Sequence, residues 1–206
     1  MMQMGGSPIP PTPQPPDGWE IVNYIGAQSG STNLKDNVTS GELTYLKANV
    51  MFLRWYYASI VEGSDISTRF GGNANNNTIS LNIVANGGTW ASIFIGATSN
   101  YVDKLMELVY ENNTLTVFFD GVEFTHINNL TNPVVQGGTW NILNYGSNRT
   151  IPFRIYGLEY DIASVHRKWI PVHNTHGGMT YPNTMFEIYT QTLMHENGTY
   201  PCNIYG

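Results

Sequence analysis

Two carboxylates, Glu159 and Asp161, stand two residues apart in the run GLEYDI. On a strand that spacing puts both on one face, the arrangement in which glycoside hydrolysis uses an acid and a nucleophile. The reading that asks for nothing more is a pair of charges on the solvated face of a strand. His173 and His176 are three apart and His166 is nearby, but structural zinc takes four ligands, usually with Cys among them. The only cysteine, Cys202, lies near the end of the chain and reads as a small buried hydrophobe. No Ser occupies a Gly-x-Ser-x-Gly elbow. Asp103, Glu111, Asn112 and Asn113 could supply oxygens to calcium, yet they fit turns better. The Gly pairs at 71–72, 87–88 and 137–138 lack the Lys and helix of a phosphate loop. No catalytic residue, metal or cofactor is assigned, and the chain is expected not to be an enzyme. Sugar recognition is better supplied, because aromatic faces stack on C–H groups while amides bond hydroxyls. Trp90, Trp140, Tyr101, Tyr145 and Asn75, in the Asn-rich stretch 73–77, are the candidates. The competing reading has Trp90 and Trp140 plugging the ends of the fold.

The chain that must position these groups has 206 residues, 41% hydrophobic and only 12% charged, with net charge −6. The charge share is about half the usual quarter, and 23 Asn and 20 Thr stand in for it. A surface of uncharged hydrogen-bonders over β-branched and aromatic residues points to an all-β protein. Nine scattered Lys and Arg give no footprint for a phosphate backbone, so no nucleic-acid partner is expected. No run of about 18 apolar residues is present, so no membrane partner is expected either. The start, MMQMGGSPIPPTPQPP, lacks the basic and apolar regions of a secretion signal. Sequons such as Asn76-Asn77-Thr78 then follow from composition alone.

Residues 1–16 read as an extended tether, since Pro8, Pro10, Pro11, Pro13, Pro15 and Pro16 fix φ and remove donors. Their PxxP spacings are also compatible with a Pro-binding partner. From residue 17 strand follows strand. Leu43 to Val61 is the longest apolar stretch and reads as a central strand. Residues 105–127 form a three-stranded meander, its second turn marked by Asp120-Gly121 between alternating runs. Two echoes, GGTWASIFIG and GGTWNILNYG, mark Gly-rich turns launching strands with Trp near the head. PFRIYGLEYDI adds another strand. Short strands, regular turns and no convincing helix give a two-sheet antiparallel β-sandwich over residues 17–170, with 171–206 as a β-rich tail.

The ordered set WEIVNYIGAQSG, RFGGNANNNTISLNIV, LMELVYENNTLTVFFDGVEF, PFRIYGLEYDI, RKWIPV and NGTYPCNIYG resembles concanavalin A-like, laminin-G-type jelly rolls of tailed gut-phage virion proteins. That resemblance implies a non-enzymatic head fibre, tail fibre or capsid decoration protein, made in the bacterial cytoplasm and displayed on the virion surface. It implies partners among capsid or tail proteins reached through residues 1–16, and a dimer or trimer of the chain. A carbohydrate-binding adhesin for host surface glycan is the alternative. The same jelly roll hosts laminarinase-type hydrolases, whose strand carries Glu-x-Asp-x-(x)-Glu; here Ala163 and Ser164 stand at the third carboxylate.

Overall fold

The computed structural model describes residues 14–27, 34–53, 58–63, 68–75, 78–85, 88–97, 101–142, 153–179, 182–196, 202 and 204–206. Chain order runs β1 (Trp19–Ile21), β2 (Ile25–Ala27), β3 (Leu34–Val38), β4 (Gly41–Phe52), β5 (Ala58–Gly63), β6 (Arg69–Asn75) and β7 (Thr78–Ala85). It continues with β8 (Gly88–Ala97), β9 (Leu105–Glu111), β10 (Thr114–Phe119), β11 (Val122–Ile127), β12 (Val134–Val135) and β13 (Gly138–Ile142). Last come β14 (Phe153–Ile162), β15 (Val165–Asn174), β16 (Asn183–Glu187), β17 (Thr192–Leu193), β18 (His195–Glu196) and β19 (Ile204–Tyr205).

These strands make the two-sheet antiparallel sandwich expected from the sequence. One sheet is ordered β11-β10-β9-β4-β14-β15-β16-β17, with β1 on β15, β12 on β4, and β2 joining β14 to β19. The other is β18-β3-β13-β5-β6-β7-β8. The meander over 105–127 is present, and its Asp120-Gly121 turn holds both residues at positive φ, 51° and 77°. The single strand expected over Leu43–Val61 is instead two, β4 and β5, which lie in opposite sheets. An apolar run long enough for two buried strands carries no mark of where one sheet hands over to the other.

The segment 171–206 contributes to both sheets: β16 is wholly buried against β15, while β18 pairs with β3. Cys202 is buried, and β19 lies along β2 with the Gly206 carbonyl accepting from the N–H groups of Asn23 and Tyr24. At the other end Pro15 and Pro16 are described, and the Pro16 carbonyl accepts from Trp19 N–H at 3.0 Å. The four other prolines of the expected tether, Pro8, Pro10, Pro11 and Pro13, lie outside the described residues.

The core fills by strand alternation. In β4, Leu46, Ala48, Val50 and Phe52 point inward while Tyr45, Lys47, Asn49 and Met51 stay half-buried on the other face. Trp140, on β13, is 0% exposed and sits between Phe70 and Tyr160, with ring centroids 6.2 and 5.6 Å away. Its indole N–H donates to the Gln136 carbonyl at 3.2 Å. Across the sheets the Tyr160 hydroxyl donates to the Asp36 carboxylate in a short contact. Burial raises the Asp36 carboxyl above the ordinary carboxylate range, offset in part by the Tyr160 hydroxyl and the Arg167 charge. Burial and the Asp36 charge push the Tyr160 phenol upward as well.

Two consequences are measurable. Trp140→Ala removes the largest side chain of the core and is expected to cost roughly 3–5 kcal/mol in denaturant unfolding. Asp36 holds its proton more tightly folded than unfolded. Its stabilising contribution is therefore present below the unfolded pKa and lost as pH rises through the raised folded value. Asp36→Asn keeps an acceptor for Tyr160 without the buried charge. It is expected to gain on the order of 1 kcal/mol at neutral pH, the gain closing as pH falls to about 4. An Asp36→Asn protein less stable than wild type at neutral pH, and more so than in acid, would reverse that sign.

Candidate functional site

Of the sugar-binding candidates, the side chains of Trp140, Trp90 and Tyr101 are described, and each packs against a different set of neighbours. Trp140 offers no ring face to a ligand, because the core covers it on every side. Trp90, in β8, is partly buried: its edge-on contact with Tyr110 has centroids 4.9 Å apart, and its N–H donates to the Thr131 carbonyl at 2.7 Å. Tyr101 packs on Phe119 and Phe124, with centroids 4.6 and 5.7 Å away. Asn75 ends β6 opposite Thr78, and Tyr145 lies outside the described residues. Of the expected turn formers, Asp103, Asn112 and Asn113 adopt positive φ, whereas Glu111 ends β9. Among the described residues no three His, Cys, Asp or Glu side chains are grouped to hold a metal ion.

What the fold does bring together is the outward face of β4, β14 and β15. Register places Met51 beside Arg154, Asn49 beside Gly157, Lys47 beside Glu159 and Tyr45 beside Asp161. On the next strand Glu159 faces Lys168 and Asp161 faces His166. A depression of about 470 Å³ opens here, lined on β4 by Tyr45, Lys47 and Asn49 and on β14 by Tyr156 and Glu159, with Lys168 opposite. That volume falls in the ~300–1,000 Å³ range of small-ligand sites.

Its charges are mostly paired. Lys47 Nζ meets Glu107 at 2.8 Å and Lys168 Nζ meets Glu159 at 3.0 Å. His166 is wedged between the two carboxylates singled out in the sequence, 2.5 Å from Asp161 through Nδ1 and 3.2 Å from Glu159 through Nε2. Tyr189 backs the imidazole, its hydroxyl 3.1 Å from Nε2. Glu187 shapes the turn that presents Tyr189: the fully buried carboxylate accepts from the N–H groups of Lys168, Tyr189 and Thr190 and from the Thr190 hydroxyl. Burial alone would raise the Glu187 pKa, but these hydrogen bonds, those from Thr190 foremost, outweigh it and hold the carboxyl below its ordinary value. Tyr45 moves the other way, pushed up by burial and then by the carboxylates of Glu159, Glu111, Glu107 and Asp161. Glu159 and Asp161 thus share one face as their spacing required, but in a network rather than as solvated charges. Ala163 and Ser164, at the third-carboxylate position of the hydrolase pattern, are both at positive φ and turn the chain back into β15.

Two polar atoms on this face are buried without a partner among the described residues, Asn49 Oδ1 and Arg154 Nε. Asn49 lines the depression, and Arg154 lies one step farther along the same face. Nothing in composition marked either residue; the signal in the sequence was the break in alternation at Tyr156-Gly157, which aligns them.

No protein-family model and no curated protein matches the chain. Among solved structures it is similar to a β-glucanase of Bacillus licheniformis, at 9% identity and a TM-score of 0.36, covering 69% of this chain and 96% of that one. A galectin of Caenorhabditis elegans is 15% identical with a TM-score of 0.37, over 65% of this chain and 94% of that one. A carbohydrate-binding module of Bacillus subtilis is 14% identical with a TM-score of 0.35, over 66% and 91%. At these values the likeness concerns the fold alone. The expectation that the chain is not an enzyme is not kept: a glucanase and a transglycosylase are among the solved structures it is similar to, and likeness of fold decides neither for nor against an activity.

Proposed function

We propose that this chain binds glycan, and that the depression on the outward face of β4, β14 and β15 is its site. One observation carries the reading: Asn49 Oδ1 is a buried acceptor with no partner in the wall of an open depression. An acceptor left in that state costs about 1–3 kcal/mol, which a donor from a ligand would recover. A sugar hydroxyl is such a donor. Tyr156 and Tyr45 bring apolar ring surface to the same depression, and the Lys47–Glu107 and Lys168–Glu159 pairs offer further donors and acceptors at its edge. That mixture of aromatic faces with fixed polar groups suits a ligand having C–H patches and hydroxyls.

The setting we propose is the surface of a phage virion, with residues 1–16 as the tether and copies of the chain associated. It is supported by the family resemblance and the Pro-rich start. Mass spectrometry of purified particles with antibody-labelled electron microscopy reads it out; absence from the particle would overturn this setting without touching the site.

The binding site is tested by retention on immobilised polysaccharides, neutral and acidic, together with thermal melts. Tyr156→Ala is expected to weaken retention at least tenfold with little change in melting temperature. Asn49→Ala removes an unpaired buried acceptor, so the fold is expected to stay as stable or gain while binding falls. Failure of the wild-type protein to bind any polysaccharide would overturn the glycan reading.

A further inference from the structure

The cations of β4, β14 and β15 are not alike. Lys47 and Lys168 each sit within 3.0 Å of a carboxylate, and Arg167 lies 3.7 Å from Glu187. Arg154 has no such partner among the described residues. Its Nη1 reaches only the Met51 sulfur, at 3.8 Å, and its guanidinium carbon lies 4.8 Å from the centroid of the Tyr24 ring. The Nε is buried and unbonded. Guanidinium carries five donors and stays charged, so a partly buried one without an oxygen partner is poised for an acceptor from outside.

Surrounding groups hold it in that state. Tyr24 and Tyr156 stand with centroids 5.5 Å apart, and the Tyr156 hydroxyl approaches the same Met51 sulfur at 3.9 Å. On the other side the register neighbour of Arg154 is Gly26, which has no side chain to cover the guanidinium. Nor can it acquire one, because a Cβ there would strike the Phe153 carbonyl. The Tyr45 end of the face is ringed by Glu159, Glu111, Glu107 and Asp161. A ligand carrying negative charge is therefore directed to the Arg154 end.

Resting on the glycan reading above, we infer that the ligand is an acidic sugar whose carboxylate pairs with Arg154 while a hydroxyl donates to Asn49. Arg154 and Asn49 are one same-face step apart, roughly 7 Å along the strands, which the substituents of adjoining sugar units can span. Planar guanidinium meets carboxylate in the bidentate manner that makes such pairs strong. General attraction is not available as a substitute, because a chain of net charge −6 repels a polyanion as a whole.

Titration calorimetry at about 0.15 M salt, where exposed charges are screened beyond about 8 Å, compares oligogalacturonate with a neutral galactan oligosaccharide of equal length. Wild-type protein is expected to bind oligogalacturonate at least tenfold more tightly than the neutral chain. Arg154→Gln is expected to erase that preference, and Arg154→Lys, which keeps charge without the fork, to retain only part of it. Arg154→Lys also serves if Arg154→Gln fails to fold. Equal affinity for both oligosaccharides, or an oligogalacturonate affinity indifferent to both substitutions, would overturn the acidic-sugar inference and leave glycan binding standing. Tighter binding of a sulfated galactan than of oligogalacturonate would overturn the carboxylate assignment. No binding of any glycan would instead be the failure of the underlying reading.

Discussion

The phase of β14 is the constraint on which the rest of the molecule depends. Phe153 and Ile155 point inward, and so do Leu158, Tyr160 and Ile162. Strict alternation cannot give both sets, since the first is odd-numbered and the second even. The register against β4 shifts between Ile155 and Gly157, which makes Tyr156 the extra residue of a bulge. That one residue keeps apolar side chains in the core at both ends of the strand. It also keeps Arg154, Tyr156, Glu159 and Asp161 on a single outward face. Without it, either Glu159 and Asp161 or Arg154 would be driven into the core, at a cost no nearby partner offsets.

Polarity is distributed across this strand with opposite consequences on its two sides. Inward, Tyr160 carries a hydroxyl across the sandwich to Asp36, so the half-buried carboxylate of β3 has an oxygen donor within the protein. Outward, the carboxylates of β14 are paired by Lys168 and His166, yet Arg154 and Asn49 are left with unbonded buried atoms. Among the described residues the buried Trp169 Nε1 is the third such atom, but only Asn49 and Arg154 stand together on this outward face. Leaving an acceptor and a cation open on adjacent steps of one face costs stability. Such a cost marks a surface shaped for something other than the fold.

Much of the architecture was legible in the sequence because it rests on local chemistry. Asp120-Gly121 needs two positive φ values in a row, which few residue pairs supply, and the hairpin stands where the sequence put it. Alternation before that turn revealed β10, while β9 and β14 were read from their apolar runs. The division of Leu43–Val61 between two sheets was not legible, because a strand buried on one face at each end and a central strand give the same apolar run. Trp140 illustrates a related limit. An aromatic residue behind a Gly-rich turn reads alike whether its ring lies on the surface or, as here, between Phe70 and Tyr160. Deciding that takes the partner sheet, which local pattern does not contain.

The candidate site was half legible for the same reason. Glu159 and Asp161 could be placed on one face from their spacing, whereas their partners come from β15 and from the turn after β16, at sequence distances only pairing reveals. Asn49 and Arg154 stand 105 positions apart, and neither is unusual in its own neighbourhood. Their significance is relational. Each is distinguished only by a hydrogen bond that is missing among the described residues, and a missing bond is defined by every neighbour that failed to supply it. Sequence can mark the strand that carries such a residue, as it did for β14. The unpaired atom itself emerges only once β4, β14 and β2 are laid side by side, and it is there that the outward face acquires its direction, carboxylates toward Tyr45 and open guanidinium toward Tyr24.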